Sequence, residues 1–418
     1  MPDYSVLSNI LGLENTRIIG HEFTAAGVTL DVRPDARRGH CSGCMRGVSR
    51  VHDKQLRRTW RDIDLGGMAV TLRCDVRRLD CPRCGVRVEL VPWAEHGLMF
   101  TKRFETHTAY LAQQASRTIV AELMRVAWRT VGNIIGRVVD RLGSRGLLDN
   151  LRRIGVDELS YRKHHQYITV VVDHDTGNVV WASPGKNAAT LKRFFAALGP
   201  ERCKLLENVS IDMSAAYIAA VTEGAPNAQI VFDRFHVQRL AHDALDELRR
   251  AEVREARAAS DAAAAAELKH SRWALQKNPW NLDGVEREKL STLQQVNKRL
   301  YRGYLMKESL ASVLDRRQAH VARTKLVEWC SWATHSRLPS FGKAARTIRK
   351  HLDGVVAYVQ TGLSNGRVEG LNGKARTITR RAYGFHNPYA LISMLFLCCS
   401  GIELGPVRVF PSKDLLPL

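Results

Sequence analysis

Ile154-Gly155-Val156-Asp157-Glu158-Leu159 opens the stretch on which the fold turns. Two more runs follow closely, 166–173 and 178–182, rich in Val, Ile, Tyr and Thr. β-branched and aromatic residues in short runs read as strands. Asp173-His-Asp-Thr-Gly-Asn178 is the turn between the second and third. Two later runs, 209–212 and 230–232, alternate with helical spacing at 188–198 and 214–223. A strand hairpin followed by strand–helix alternation predicts a mixed α/β sheet.

Upstream, residues 101–145 keep helical spacing. Phe104, Thr108 and Leu111 mark one helix, Ile119 to Met124 a second, and Val131 to Leu142 a third. Residues 1–95 instead alternate with period two, as at Val28, Leu30 and Val32 and at Val70, Leu72, Cys74 and Val76, so half-buried strands are expected. Downstream, 236–360 is almost wholly helical in pattern, with breaks at Pro279 and Pro339. Trp273 and Trp280 are expected near the cleavage site or in the core of this segment, the core being favoured because tryptophan is usually buried for packing. Residues 364–400 return to a Gly-rich and then an apolar helix.

The 418 residues carry 63 Lys+Arg against 42 Asp+Glu, a net charge of +21, with a pI near 9.9. Self-repulsion of that size is relieved by a polyanion, and nucleic acid is the commonest one. No apolar run approaches the roughly 20 residues of a membrane span, and no signal peptide is visible, so a cytoplasmic, nucleoid-associated protein is expected.

Four of the nine cysteines form two identical turns, Cys41-Ser-Gly-Cys44 and Cys81-Pro-Arg-Cys84. Two CxxC turns suit one tetrahedral structural Zn²⁺, closing a small β module with little core of its own. A redox CxxC usually occurs once and opens a helix. The three helices of 103–142 fit a helix-turn-helix. The third places Arg129, Asn133, Arg137 and Arg141 four apart on one polar face suited to a major groove, and a packing unit without DNA contact is the alternative.

Three acids stand out. Asp157 lies on the first strand of the α/β region, Asp212 ends a later one, and Glu369 opens a helix in Ser364-Asn-Gly-Arg-Val-Glu369-Gly-Leu-Asn372-Gly. Strand-end carboxylates near one another repel unless a cation lies between them. Three carboxylates holding two Mg²⁺ (or Mn²⁺) can carry phosphodiester chemistry. Glu369 is the one acid among Arg367, Lys374, Arg376, Arg380 and Arg381, a metal ligand beside a phosphate track, with a salt bridge to Lys374 or Arg376 as the alternative. Asp233 and His236, in Phe232-Asp-Arg-Phe-His236, are candidate supporting groups, with structural roles equally open. Strand alternation points Glu158 away from Asp157.

In this order of motifs the sequence resembles the ISL-three family of insertion-sequence transposases. Gly155-Val-Asp157-Glu158, Asp212-Met-Ser, Asp233-Arg-Phe-His236-Val and the segment 364–372 carry the resemblance, which covers roughly residues 35–400. It implies an RNase H-like catalytic domain interrupted by an all-α insertion, and an Asp-Asp-Glu triad falling on Asp157, Asp212 and Glu369. The expected layout is a β-rich zinc module (1–98), a helix-turn-helix (99–148), an RNase H-like domain (149–235 and 361–418) and a helical insertion (236–360). The expected activity is that of a DNA transposase. It would bind the terminal inverted repeats of its element, cleave there and join the 3′-hydroxyls to target DNA. It would act as a dimer or larger synaptic assembly, with no membrane partner. A zinc and helix-turn-helix regulator, or an RNase H-like nuclease that does not join, are the rivals.

Overall fold

The computed structural model describes residues 4, 8, 11–143, 146–162, 166–363, 366–385 and 387–406, with the backbone alone at 367 and 368. The chain forms two compact units: residues 1–145 with 381–383 and 393–418, and residues 146–380 with 384–392.

The first unit begins with strands β1 (Thr16–Thr24), β2 (Gly27–Pro34), β3 (Gly39–Cys41), β4 (Gly47–Val48), β5 (Val51–Leu65), β6 (Met68–Cys81) and β7 (Gly85–Leu90). They form one sheet in the order β1-β2-β6-β7-β3-β4, with β5 paired along β6. The period-two residues Val28, Leu30, Val32, Val70, Leu72, Cys74 and Val76 all lie in its core, with the rings of Trp60 and Trp93 edge to face at 5.4 Å. Asp62 is fully buried on β5 and accepts from Thr101 Oγ1 (2.6 Å) and from the Arg103 guanidinium. Thr101 also caps helix α1 (Lys102–Gln114), so one buried acid ties the sheet to the helices that follow. These are α2 (Arg117–Met124) and α3 (Trp128–Leu142).

The second unit holds β8 (Arg153–Arg162), β9 (Gln166–Asp173), β10 (Val179–Pro184), β11 (Asn208–Ile211) and β12 (Gln229–Phe232), with helices α4 (Ala188–Leu198), α5 (Pro200–Cys203) and α6 (Ala215–Gly224) between them. The strand order is β10-β9-β8-β11-β12. β8, β9 and β10 pair antiparallel; β8, β11 and β12 pair parallel. This RNase H-like sheet has its first strand in the centre and its fourth beside it. β8 is longer than its sequence pattern, because polar residues beyond Leu159 still pair with β9. Asp157 therefore lies within the strand. On the β11 side, however, pairing stops at Gly155, so Asp157 sits just past the shared edge.

From β12 the chain is strand-free through α7 (Arg234–Ala258), α8 (Ala262–His270), α9 (Arg272–Gln276), a 3₁₀ turn (Pro279–Asn281), α10 (Gly284–Val296), α11 (Lys298–Leu314), α12 (Ala319–His335), α13 (Pro339–Lys350) and α14 (Leu352–Thr361). Leu245, Leu300, Leu310, Leu326, Trp329 and Phe341 pack its interior. Trp273 and Trp280 do not join them; they are 64% and 74% exposed. The short α9 turns Ala274 and Leu275 inward instead, which leaves Trp273 outside under the Arg272 guanidinium. The chain ends with α15 (Gly366–Arg381) and α16 (Pro388–Cys399).

Candidate catalytic site and zinc centre

The zinc centre is assembled by the ends of β3 and β6. Each CxxC turn is closed by a residue in the left-handed region just after its second cysteine: Met45 (φ 61°) and Gly85 (φ 69°). Gly43 carries no Cβ where one would stand 3.1 Å from Cys84 Sγ, so the two turns can approach. All four Sγ atoms lie within 4.8 Å of one another, and Cys44 and Cys81 are 3.7 Å apart. Zinc–thiolate bonds of about 2.3 Å in a tetrahedron give sulfur separations of about 3.8 Å. The backbone amides of Arg83 and Cys84 lower the Cys81 thiol to about 7, while hydrogen bonding with Cys44 and burial push Cys84 up to about 12, so the four thiols share their protons as one cluster. This is a zinc-binding cluster. Among the described residues it is the one set of three or more His, Cys or acidic groups so tightly gathered.

The helix-turn-helix is α1–α3. Ser116 caps α2, and Arg125 ends it in the left-handed region. The apolar stripe of α3, Val131, Ile134, Ile135 and Val138, is wholly buried. Its polar face divides in two. Arg129 and Asn133 are exposed. Arg137 and Arg141 instead hold Glu105 of α1, which is only 1% exposed, at 2.6 Å and 3.2 Å. A buried carboxylate needs paired charge, so within the face expected to read DNA, Arg137 and Arg141 also hold the two helices together.

The candidate acids of the second unit lie on or just past three elements. Asp212 follows β11 and accepts the Ser214 amide at 3.0 Å, fixing the entry to α6. Asp157 Oδ1 accepts the Glu158 amide at 2.7 Å, and Oδ2 accepts Asn372 Nδ2 at 2.8 Å. Asn372 lies on α15, three residues after Glu369, and residues three apart share a helix face. Glu369 is exposed in the first turn of α15, and among the described residues no ion pair joins it to Lys374 or Arg376. The carboxylates of Asp157, Asp212 and Glu369 are not drawn within 4.8 Å of one another.

Two groups near them were not among the expected catalytic residues. Glu158 is half-buried and held above the ordinary carboxylate range, mainly by burial, with the charges of Asp212 and Asp157 adding to it and a hydrogen bond from Tyr217 opposing. Alternation does turn it toward Tyr217 and Thr169, whose hydroxyls lie 3.0 Å apart, yet it still feels both aspartates. Asn372 is the second, and its buried Oδ1 has no partner among the described residues. Its i+3 spacing from Glu369 was the available clue.

The other candidates divide. Asp233 is buried and caps α7 through the Phe235 amide at 3.1 Å, a structural duty. His236 is half-buried with its ring against Phe235. Lys374, Arg376 and Arg380 are exposed along α15. Arg381 donates to the carbonyls of Ala112 and Gln113 at 2.9 Å, satisfying the open end of α1. The side chain of Arg367 lies outside the described residues.

Comparison with known proteins agrees with this architecture segment by segment. Residues 37–84 match the zinc-finger of transposases IS204/IS1001/IS1096/IS1165, residues 89–139 the helix-turn-helix domain of transposase family ISL3, and residues 154–395 the family's transposase domain. The chain is 40% identical over 403 residues to the transposase for insertion sequence element IS1557 of Mycobacterium tuberculosis, covering 90% of this chain and 89% of that one. It is 30% identical over 370 residues to the transposase for insertion sequence element IS1001 of Bordetella parapertussis, covering 86% and 89%. A zinc ribbon, a helix-turn-helix and an RNase H-like sheet, in that order and with those matches, make this chain a member of the ISL3 family of DNA transposases.

Proposed function

We propose that the chain binds the terminal inverted repeats of its own insertion sequence, cleaves the DNA at those ends and joins the freed 3′-hydroxyls to target DNA. The observation that carries this reading is the Asn372–Asp157 hydrogen bond, which sets the Glu369-bearing helix on the central strand, beside the strand that leads to Asp212. Asp157, Asp212 and Glu369 are the catalytic carboxylates. Exposed Arg129 and Asn133 of α3 read the ends, and Lys374, Arg376 and Arg380 track phosphates near the cut.

The donor set suits hard divalent cations such as Mg²⁺ or Mn²⁺: carboxylate oxygens with lone pairs to spare, and beside them the buried Oδ1 of Asn372, which has no partner among the described residues. Bound there, such ions would activate the attacking hydroxyl and stabilise the leaving oxygen of an in-line displacement. The chain's own part is to hold the carboxylates on rigid elements. Asp212 is fixed by its turn before α6, and Asp157 by the Glu158 amide and Asn372. The α15 cations hold the scissile strand against its own repulsion from the three acids. Cleaving and joining at two ends calls for at least two protomers, and the helices 236–360 are the natural place for contacts to DNA or to the second protomer.

The test is a reaction with Mg²⁺ and a duplex bearing the element's ends. Cleavage followed by joining to a second duplex is expected. Binding without cleavage would make the protein a regulator, and cleavage without joining a nuclease.

A further inference from the structure

We infer that the solvent face of the N-terminal sheet is a second duplex-DNA site, a trough for the phosphodiester backbone separate from the helix-turn-helix. This rests on the reading of the chain as a DNA-binding transposase. Two clefts, of about 480 and 500 Å³, adjoin over β6 where β2 ends short of β7, and they share Arg33, Lys54 and Asp75. Seven cationic and four acidic side chains line them together. Three of the acids are ion-paired and the fourth, Asp75, is hydrogen-bonded but keeps its charge, so the clefts stay net positive. Asp35 holds Arg17 at 3.1 Å, Asp31 holds Arg73 and Glu89 holds Arg77, each at 2.6 Å, and Asp75 accepts the Arg57 amide at 2.8 Å. Arg33, Arg37, Lys54 and Arg57 remain, all exposed and without an ion-pair partner among the described residues.

Arg57 is the telling member. The pairing of β5 with β6 slips between Gln55 and Arg58, and Arg57 takes a left-handed backbone at φ 52°. That conformation is unfavourable for a residue with a side chain and is kept where the surroundings fix it. Here Asp75 fixes it by gripping the amide. Bulges re-aim side chains, and this one turns Arg57 to the cleft while Leu56 beside it stands 72% exposed. Four exposed cations spread over two joined clefts do not build a pocket for one small anion, which needs convergent buried donors. They match a repeating anion, and the duplex backbone is the repeating anion that this family's chemistry places on the protein.

The test uses the full chain with Arg33→Ala, Lys54→Ala and Arg57→Gly combined; glycine keeps the left-handed backbone of the bulge. Affinity for end-bearing and random-sequence duplexes is measured against salt. Three lost phosphate contacts should flatten the slope of log Kd on log salt by about 2–3 and weaken both duplexes alike, by about ten-fold or more near 0.15 M salt. Zinc content should stay at wild type. Arg33→Gln with Lys54→Gln leaves the bulge untouched and should flatten the slope by about 2. Wild-type slope and affinity in both variants would overturn the trough and leave the helix-turn-helix reading intact. A wild-type chain with no salt-dependent duplex binding would overturn both. Single-stranded RNA binding more tightly than duplex, and weakened by the same variants, would overturn the choice of ligand.

Discussion

Glu105 shows how a single side chain decides what its neighbours can do. It is 1% exposed and its charge is met by Arg137 and Arg141 across the helix pair. Arg137→Ala should therefore act first on stability, costing about 1–3 kcal/mol in a urea melt because it under-pairs a buried carboxylate. Loss of DNA affinity with unchanged stability would contradict that and return Arg137 to the reading face. Arg129→Ala should do the reverse, weakening end-bearing DNA more than random DNA in a binding titration at wild-type stability. The cysteines were legible from spacing alone, since two CxxC turns have few other uses. The pairing of Arg137 was not, because its partner lies 32 positions away on another helix and nothing local marks it. Cys41→Ser with Cys44→Ser should remove the zinc, read by elemental analysis of purified protein as a fall from about one ion per chain to none. Retention of zinc would sink the four-cysteine assignment.

Among elements, the placement of α15 on β8 matters most. The five strands and their hairpin were readable because each buried strand is a short β-branched run, and the helical segment after Phe232 because strand patterns stop there. What stayed hidden was contact between distant elements: Asn372 on Asp157 spans 215 positions. Hidden too was the exposure of Trp273, which follows from the shortness of α9 rather than from residue type. If Asn372 positions the helix, Asn372→Ala should lower Mg²⁺-dependent cleavage by about ten-fold or more and leave end binding unchanged. Asn372→Asp, which keeps an oxygen donor but adds charge against Asp157, should not restore it. Wild-type cleavage in the alanine variant would detach α15 from the account.

At the scale of the molecule, acid should weaken the fold from near neutrality. His107, His242 and His351 are all held below 6.5, chiefly by burial. Below pH 6.5 the unfolded chain takes up protons that the folded one refuses, so stability is full above that point and falls as the pH drops toward the folded values. The melting temperature should be lower at pH 5.5 than at pH 7.5, by scanning calorimetry; an equal or higher value would contradict this.

The central claim is that Asp157, Asp212 and Glu369 act as one catalytic unit although 55 and 157 positions separate them. Parts of such a unit fail together. Asp157→Ala, Asp212→Ala and Glu369→Ala, made singly, should each lower Mg²⁺-dependent cleavage at the element's ends by roughly 10³-fold or more, while end binding, proposed for the other unit, holds. Near wild-type cleavage in any one of the three would remove that residue from the unit.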